Sequence, residues 1–180
     1  MVQPGTVRWL SPDEQHAWRG FVQMNALLQL ELNRQLQEGH SVSVADYEVL
    51  SCVSESPGER LRTGVLASTL KWEQSRLSHH LTRMEKRGLV DRRECDEDRR
   101  GTVVQLTAVG REVIHAAAPE HAEAVRRLLF DTLGDEQVAQ LAAIARQVLV
   151  AATGGDGDEG DARPPSAERR EPPPMAHGAS

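Results

Sequence analysis

The sequence contains little cysteine and no long hydrophobic segment. Only two cysteines occur among its 180 residues, Cys52 and Cys95, which excludes a framework of several disulfides. No run of 18 or more apolar residues is present, which argues against a transmembrane helix. The first residues, MVQPGTVRWL, lack the basic-then-apolar order that is typical of a signal peptide. These absences predict a cytoplasmic protein that has no membrane partner.

The sequence also lacks a convincing pattern for metal binding or catalysis. The segment 96–107 places acids at the first and third positions of a calcium loop, but Arg100 occupies the fifth position and Thr107 replaces the bidentate glutamate. His79 and His80 are adjacent, so on a helix they would point about 100° apart and could not chelate one ion together. No nucleophile, base and orienting residue occur at suggestive spacing. We therefore expect no metal, no cofactor and no enzymatic activity.

Charge is distributed unevenly along the chain, although the net charge is −6. Residues 60–111 carry 12 Lys and Arg against 7 Asp and Glu, a balance of +5. The other segments are acidic: residues 1–59 carry 3 against 8, and residues 112–153 and 154–180 each carry 3 against 6. A basic segment within an acidic protein is expected where a phosphate backbone binds. A solvated surface of mixed charge is the alternative interpretation.

Helix signals precede the basic segment. The sequence SPDE supplies a capping box with proline at the first helical position, and Gly39 is a suitable stop, so a first helix is predicted over residues 11–39. A second helix is predicted to begin at Ser43, with Asp46 as its capping partner, and to end at the sequence SPG.

The basic segment itself contains a short helix, an amphipathic helix and a hairpin. The short helix is GVLASTL, and the amphipathic helix lies in EQSRLSHHLTRMEKRGLV, where Leu77, Leu81 and Met84 share the apolar side. Its other side carries polar residues: Ser75, His79, Thr82, Arg83 and Lys86. The segments LVDRREC and TVVQLT are predicted to form two strands joined by a charged loop.

Two more helices and a polar tail complete the chain. Thr107 caps a long helix, in which Pro119 predicts a kink or a break because it removes a backbone donor. A last helix is predicted from Asp135 to Gly154. The segment 154–180 has almost no large apolar residues, so it is predicted to be disordered.

This order of elements predicts a mainly α-helical protein with a small β-hairpin wing, a winged helix-turn-helix. The sequence also resembles the MarR family of bacterial transcription regulators over residues 11–153. The matching segments are LASTLKWEQSRLSHHLTRMEKRGLV, which corresponds to the family's recognition helix, and DEDRRGTVVQLTAVGRE, which corresponds to its wing signature D-x-R followed by V-x-L-T-x-x-G. The resemblance implies one domain over residues 1–153, with dimerisation helices over 11–39 and 107–153 and a DNA-binding lobe over 43–106.

The resemblance also implies a function: a homodimeric, sequence-specific regulator, acting as a repressor, that binds a pseudopalindrome in double-stranded DNA. By family position, the recognition helix enters the major groove with Ser75, Arg76, Ser78, His79 and Arg83. Lys86 adds a cation to the same face. In the wing, Arg100 is expected to enter the minor groove, Asp98 to brace the wing against the helix, and Arg99 to contact a phosphate. The chain departs from the family at Trp72, which replaces a smaller apolar residue, and at Glu73, where the family usually has a small capping residue.

Control of DNA binding has more than one interpretation at this level. The resemblance implies a pocket for a small aromatic or lipophilic effector between the dimerisation helices and the winged lobe, with Trp18, Tyr47 and His115 as candidate contacts. A redox-responsive regulator acting through Cys52 or Cys95 is one alternative. An architectural DNA-binding protein without an effector is another.

Overall fold

The computed structural model describes residues 7–95 and 98–153, and for residues 94, 95 and 98–101 it describes the backbone alone. Helices dominate this part of the chain, with a small antiparallel sheet, as the sequence predicts. In chain order the elements are α1 (Pro12–His40), α2 (Val44–Ser54), β1 (Arg60–Arg62), α3 (Thr63–Leu70), α4 (Gln74–Lys86), β2 (Val90–Cys95), β3 (Asp98–Leu106), α5 (Ala108–Leu128) and α6 (Asp135–Ala152). The segment 154–180, for which the sequence predicts disorder, lies outside the described residues, and so do residues 96 and 97.

Both capping boxes predicted from the sequence are confirmed. The backbone N–H of Glu14 donates to the Ser11 hydroxyl at 3.2 Å, and the Ser11 N–H donates to the Glu14 carboxylate at 2.7 Å. Ser43 and Asp46 form the same pair of bonds at the start of α2, at 3.1 and 2.9 Å. Each pair satisfies two backbone donors that a helix start leaves free, which fixes where α1 and α2 begin.

Within the part of the chain that the structure describes, the sheet has three strands in the order β1-β3-β2, one more than the predicted hairpin. Strand β1 pairs with β3 antiparallel, with Leu61 opposite Val104, while β2 pairs with the other edge of β3. The register shifts between Glu94 and Cys95, as in a β-bulge. The sequence RLR escapes prediction because three residues are too short to show strand alternation.

A core of buried apolar side chains lies beneath α4. The apolar side predicted for this helix is confirmed, since Leu77, Leu81 and Met84 are at most 1% exposed. Other elements contribute further fully buried side chains: Leu36, Val49, Leu50, Val53, Leu66, Val90 and Val104. Removing the outer atoms of one such leucine typically costs about 2 to 5 kcal/mol, so this cluster holds α4 firmly in place.

Helix α5 begins against the end of α4. The Thr107 hydroxyl donates to the Gly88 carbonyl at 2.6 Å and accepts the Gly110 N–H at 2.9 Å. A Cβ atom on Gly110 would lie 1.9 Å from the Leu89 carbonyl oxygen, so this close approach requires glycine.

Helix α5 also continues through Pro119, so the break that the sequence predicts as one alternative is not found. The fully buried Ala117 and Ala124 pack on either side of the proline and hold both halves in one helix. Pro119 cannot donate to the carbonyl of His115, but His115 is exposed and its carbonyl can bond to water instead.

The chain divides into two compact units, residues 1–134 and residues 135–180. Helix α6 forms the described part of the second unit, and it begins at Asp135 as predicted. It exposes several large apolar side chains: Ile144, Val148, Leu149 and Val150. Within the described residues no helix has the length and apolar character needed to cross a membrane.

Candidate nucleic-acid interface

The outer face of α4 carries a dense set of side chains that can bond to nucleic acid. Of the residues predicted to lie there, Thr82 is half-buried, and the others are exposed: Ser75, Arg76, Ser78, His79, Arg83 and Lys86. Hydroxyl, imidazole and guanidinium groups can bond to base edges as well as to phosphates. The buried side of α4 is fully occupied by packing, so its polar face is available for a partner.

A tight turn sets the start of α4. Lys71 adopts a left-handed conformation with φ 54°, and the Trp72 N–H donates to the Ala67 carbonyl at 2.9 Å. Glu73 occupies the N-cap position, but its side chain makes no capping hydrogen bond. The Glu73 carboxylate therefore acts on α4 through its charge, which favours a helix N-terminus and repels a nearby phosphate.

The end of α4 is tied to the first wing strand by a salt bridge. Arg92 of β2 donates from Nε and Nη2 to Glu85 Oε2 at 3.0 and 2.7 Å, and from Nη2 to the Thr82 hydroxyl at 3.1 Å. The hydrogen bonds from Arg92 lower the pKa of Glu85, against a smaller opposing effect of burial. This pair braces the wing against α4, a role that the resemblance assigns to Asp98.

The predicted wing residues Asp98, Arg99 and Arg100 lie on the backbone of β3, but their side chains are outside the described part of the structure. The added strand β1 brings two exposed arginines, Arg60 and Arg62, next to β3. The sequence counts them within its basic segment but does not place them at the sheet.

A buried ionic cluster, which sequence reasoning missed, joins α4 to α2. His80 is 7% exposed, and its Nε2 lies 3.1 Å from Asp46 Oδ1, at ion-pair distance but not aligned as a hydrogen bond. Arg87 Nη1 donates to Asp46 Oδ2 at 2.8 Å. Burial opposes ionisation of Asp46, but His80, the Ser43 N–H and Arg87 outweigh it and hold its pKa well below the usual range.

A cavity of about 450 Å³ lies between α1, α2, the end of α3 with the turn that follows it, and α5. Its lining includes Leu32, Tyr47, Glu48, Cys52, Leu70, Trp72 and His121. Of the three effector contacts suggested by the sequence, Tyr47 lies here, whereas Trp18 and His115 are not in the lining. Trp18 instead stacks on Phe21 with ring centroids 6.0 Å apart, and His115 is exposed on α5.

Two lining residues that were not suggested as effector contacts from the sequence contribute rings to this cavity. His121 stacks near Tyr47, with ring centroids 4.2 Å apart, and its burial lowers its pKa, which favours the neutral imidazole. Trp72 is half-buried and also contacts α4. The signal that was available in the sequence was the unusual tryptophan at position 72.

Cys52 is the cysteine whose side chain the structure describes, and it is half-buried in the same lining. Burial, and then the negative charges of Glu55 and Glu48, raise its pKa, so the reactive thiolate is disfavoured. Among the described side chains, no three His, Cys, Asp or Glu residues are grouped to hold a metal ion.

Comparisons with known proteins converge on one family. The sequence model of the MarR family matches residues 42–102. The chain is similar to AbsC, a MarR family transcriptional regulator from Streptomyces coelicolor, with 39% identity, a TM-score of 0.79, and coverage of 82% of this chain and 99% of AbsC. It is also similar to Sco3205, a MarR family transcriptional regulator from the same organism that was solved in complex with DNA, with 40% identity, a TM-score of 0.78, and coverage of 87% and 96%.

A more distant relative gives the same answer. The transcriptional regulator HosA of Escherichia coli O157:H7 is 27% identical over 132 residues, which cover 73% of this chain and 90% of HosA. The family match falls on the segment that contains α4, β1, β2 and the first part of β3, and the longer matches extend over the helices on both sides. The chain therefore belongs to the MarR family of transcriptional regulators, proteins that act by binding DNA.

Proposed function

We propose that this regulator is a homodimeric repressor that binds a pseudopalindromic operator and is released by a small aromatic or lipophilic ligand. The observation that carries the proposal is the outer face of α4, where six exposed polar side chains stand above a fully packed apolar side. The DNA complex of Sco3205, at 40% identity, supports the same use of the fold.

The proposed DNA contacts divide between α4 and the wing. Ser75, Arg76, Ser78 and His79 read base edges in the major groove, and Arg83 and Lys86 add contacts near the end of the helix. Arg99 and Arg100 contact the backbone and the minor groove, with Asp98 positioning them. Arginine forms bidentate bonds to guanine, and its charge suits a narrow minor groove, so both uses follow from its chemistry.

The proposal of a homodimer rests on apolar surface that a monomer would leave in water. Helix α1 alone exposes Trp18, Phe21 and Leu27 at 57, 55 and 58%, and Leu30 at 63%. Soluble monomers rarely expose such continuous apolar patches, which typically mark interfaces. We propose that a second copy covers this surface, that residues 11–39 and 107–153 form the dimerisation region of a domain spanning 1–153, and that residues 43–106 form its DNA-binding lobe.

The proposed effector site is the cavity beside Tyr47. Its volume of about 450 Å³ lies in the range of small-ligand sites, and its walls come from both the long helices and the winged lobe. The raised pKa of Cys52 disfavours a thiol-based alternative. We place the protein in the cytoplasm, where an operator is accessible.

The test combines oligomeric state with operator affinity at several salt concentrations. Sedimentation of the full chain is expected to give a dimer. Arg100→Ala is expected to bind operator more weakly, and the slope of log affinity against log salt concentration is expected to be shallower by about one, because one phosphate contact is lost. Binding by a monomer, or an unchanged affinity for Arg100→Ala at every salt concentration, would contradict the proposal. Added peroxide is expected to leave DNA binding unchanged both in the wild type and in a variant that lacks both thiols.

A further inference from the structure

The cavity beside Tyr47 has a lining with a definite charge preference. Among the described residues, Glu48 is the acid in its lining, and no lysine or arginine contributes to the lining. Within the described part of the chain, Glu48 forms no salt bridge. Burial raises the pKa of Glu48, although the positive charges of Arg76 and His80 oppose that effect. A half-buried carboxylate that has no cation at salt-bridge distance favours a positively charged ligand and disfavours an anion.

Aromatic rings stand next to this carboxylate. Tyr47, Trp72 and His121 all line the cavity, and burial lowers the pKa of His121, which favours its neutral form. Aromatic faces attract organic cations through the ring quadrupole, and tryptophan does so most strongly. A carboxylate and aromatic rings around one cavity therefore match the chemistry of an organic cation that carries an aromatic group.

Trp72 connects this cavity to the DNA-binding face. The guanidinium carbon of Arg76, an exposed residue in the first turn of α4, lies 4.2 Å from the centroid of the Trp72 ring. The edge of the same ring system packs against His80 at 5.3 Å, with the ring planes at 89°. A cation in the cavity would thus meet an aromatic ring that already holds the cation of a proposed DNA contact.

We propose that the cavity binds an aromatic organic cation, and that this ligand competes with Arg76 for Trp72 and Glu48 and so weakens DNA binding. Trp72 is then a positioning residue, which acts on DNA through Arg76. The inference deepens the proposed function, since it names the class of effector and the route from its site to α4. Because coupling is reciprocal, DNA must weaken binding of the cation by the same factor.

Ligand class is tested without DNA by calorimetry on the full chain, using benzyltrimethylammonium, benzyl alcohol and phenylacetate as probes. The cation is expected to bind about tenfold more tightly than the other two, which corresponds to about 1.4 kcal/mol. Glu48→Gln is expected to remove most of this preference, while Glu38→Gln, which removes an exposed acid of α1 outside the lining, is expected to retain it. Tighter binding of phenylacetate, or an unchanged preference in Glu48→Gln, would overturn the assignment.

The route is tested by operator binding with and without saturating benzyltrimethylammonium, against tetramethylammonium at equal concentration as an ionic-strength control. With the ligand, the operator affinity of the wild type is expected to fall about tenfold. A smaller fall is expected for Trp72→Phe, and a change of less than about twofold for Trp72→Leu. Because the ligand is saturating, the ratio of operator affinities with and without it reports the coupling between the two sites and not the affinity for the ligand. Equal weakening in wild type and Trp72→Leu, or in wild type and Trp72→Phe if the leucine variant does not fold, would overturn the route. Failure of the ligand-free protein to bind any operator would instead overturn the proposed function, leaving the calorimetric result intact.

Discussion

Replacing Asp46 by asparagine removes a buried negative charge between α2 and α4 while keeping the size of the side chain. The carboxylate is 4% exposed, and it faces His80 at 3.1 Å and Arg87 at 2.8 Å while also capping α2. Removing one partner of a buried ion pair typically costs about 3 to 5 kcal/mol, but the Arg87 side chain is 41% exposed and can be hydrated. We therefore expect Asp46→Asn to lower the free energy of unfolding by about 2 to 3 kcal/mol.

The assay is urea unfolding at a fixed protein concentration, which matters if the protein is a dimer. A parallel thermal melt at the same protein concentration is expected to show a fall in Tm of about 4 to 12 °C for a chain of this size. Asp91→Asn is a matched control, because Asp91 meets Arg93 at 4.0 Å with both side chains more than half exposed, and such pairs contribute less than about 1 kcal/mol. An Asp46→Asn variant as stable as Asp91→Asn would refute the ionic cluster as a fixed link between the two helices.

The same substitution changes the response to acid. The pKa of Asp46 is depressed in the folded state, so its contribution is fully present above the unfolded pKa of about 3.9 and is lost as the pH falls toward the lower folded value. Wild-type stability should decline from about pH 5 downward, and the decline should be shallower for Asp46→Asn. Equal slopes for the two proteins would contradict the depressed pKa.

Two other changes separate positioning from capping. Glu85→Gln removes the charge that holds Arg92, so we expect operator affinity to fall about fivefold. The free energy of unfolding should change by less than about 1 kcal/mol, because the pair is partly exposed. An operator affinity equal to that of Glu55→Gln would contradict the role of this pair as a brace of the wing. Glu73→Ser supplies the missing side-chain cap of α4 and removes a charge that repels phosphate. It is expected to raise the free energy of unfolding by about 0.5 kcal/mol and to strengthen DNA binding. Lower resistance to urea or weaker DNA binding would contradict this account of Glu73.

Local signals in the sequence were sufficient to predict most of the helical framework. The starts of α1 and α2 depend on hydrogen bonds between residues three apart, which are written in the sequence itself. The buried side of α4 follows from its 3.6-residue period, because packing and periodicity agree there. These elements were predictable because the interactions that define them are local.

Features that depend on distant residues were not predicted. Strand β1 exists because Leu61 pairs opposite Val104, more than forty positions away. His80 lies at a position on the apolar side of α4, which could have indicated burial, but its partner Asp46 comes from another helix. Whether Pro119 breaks α5 depends on tertiary packing of Ala117 and Ala124, which overrides the local penalty.

The candidate site divides in the same way. The exposed face of α4 could be predicted residue by residue from the helical period and the resemblance, and it is found on the surface. The cavity could not, because its walls come from four separate parts of the chain, and of the three residues suggested for it Tyr47 alone is in the lining. Trp72 stood out as a departure from the family but gave no indication of its two contacts, with the cavity and with Arg76.

The most direct test of α4 as the recognition helix is selection of bound duplexes from a randomised DNA pool, using wild type, His79→Ala and, as a matched control, His16→Ala on α1. A two-fold dimer should select an inverted repeat with half-sites about 34 Å apart. His79→Ala should change the base preference at one symmetric pair of positions without changing that spacing, and His16→Ala should return the wild-type consensus. An identical consensus from His79→Ala, or the absence of any inverted repeat in the wild-type selection, would contradict recognition of an operator by α4 in a dimer.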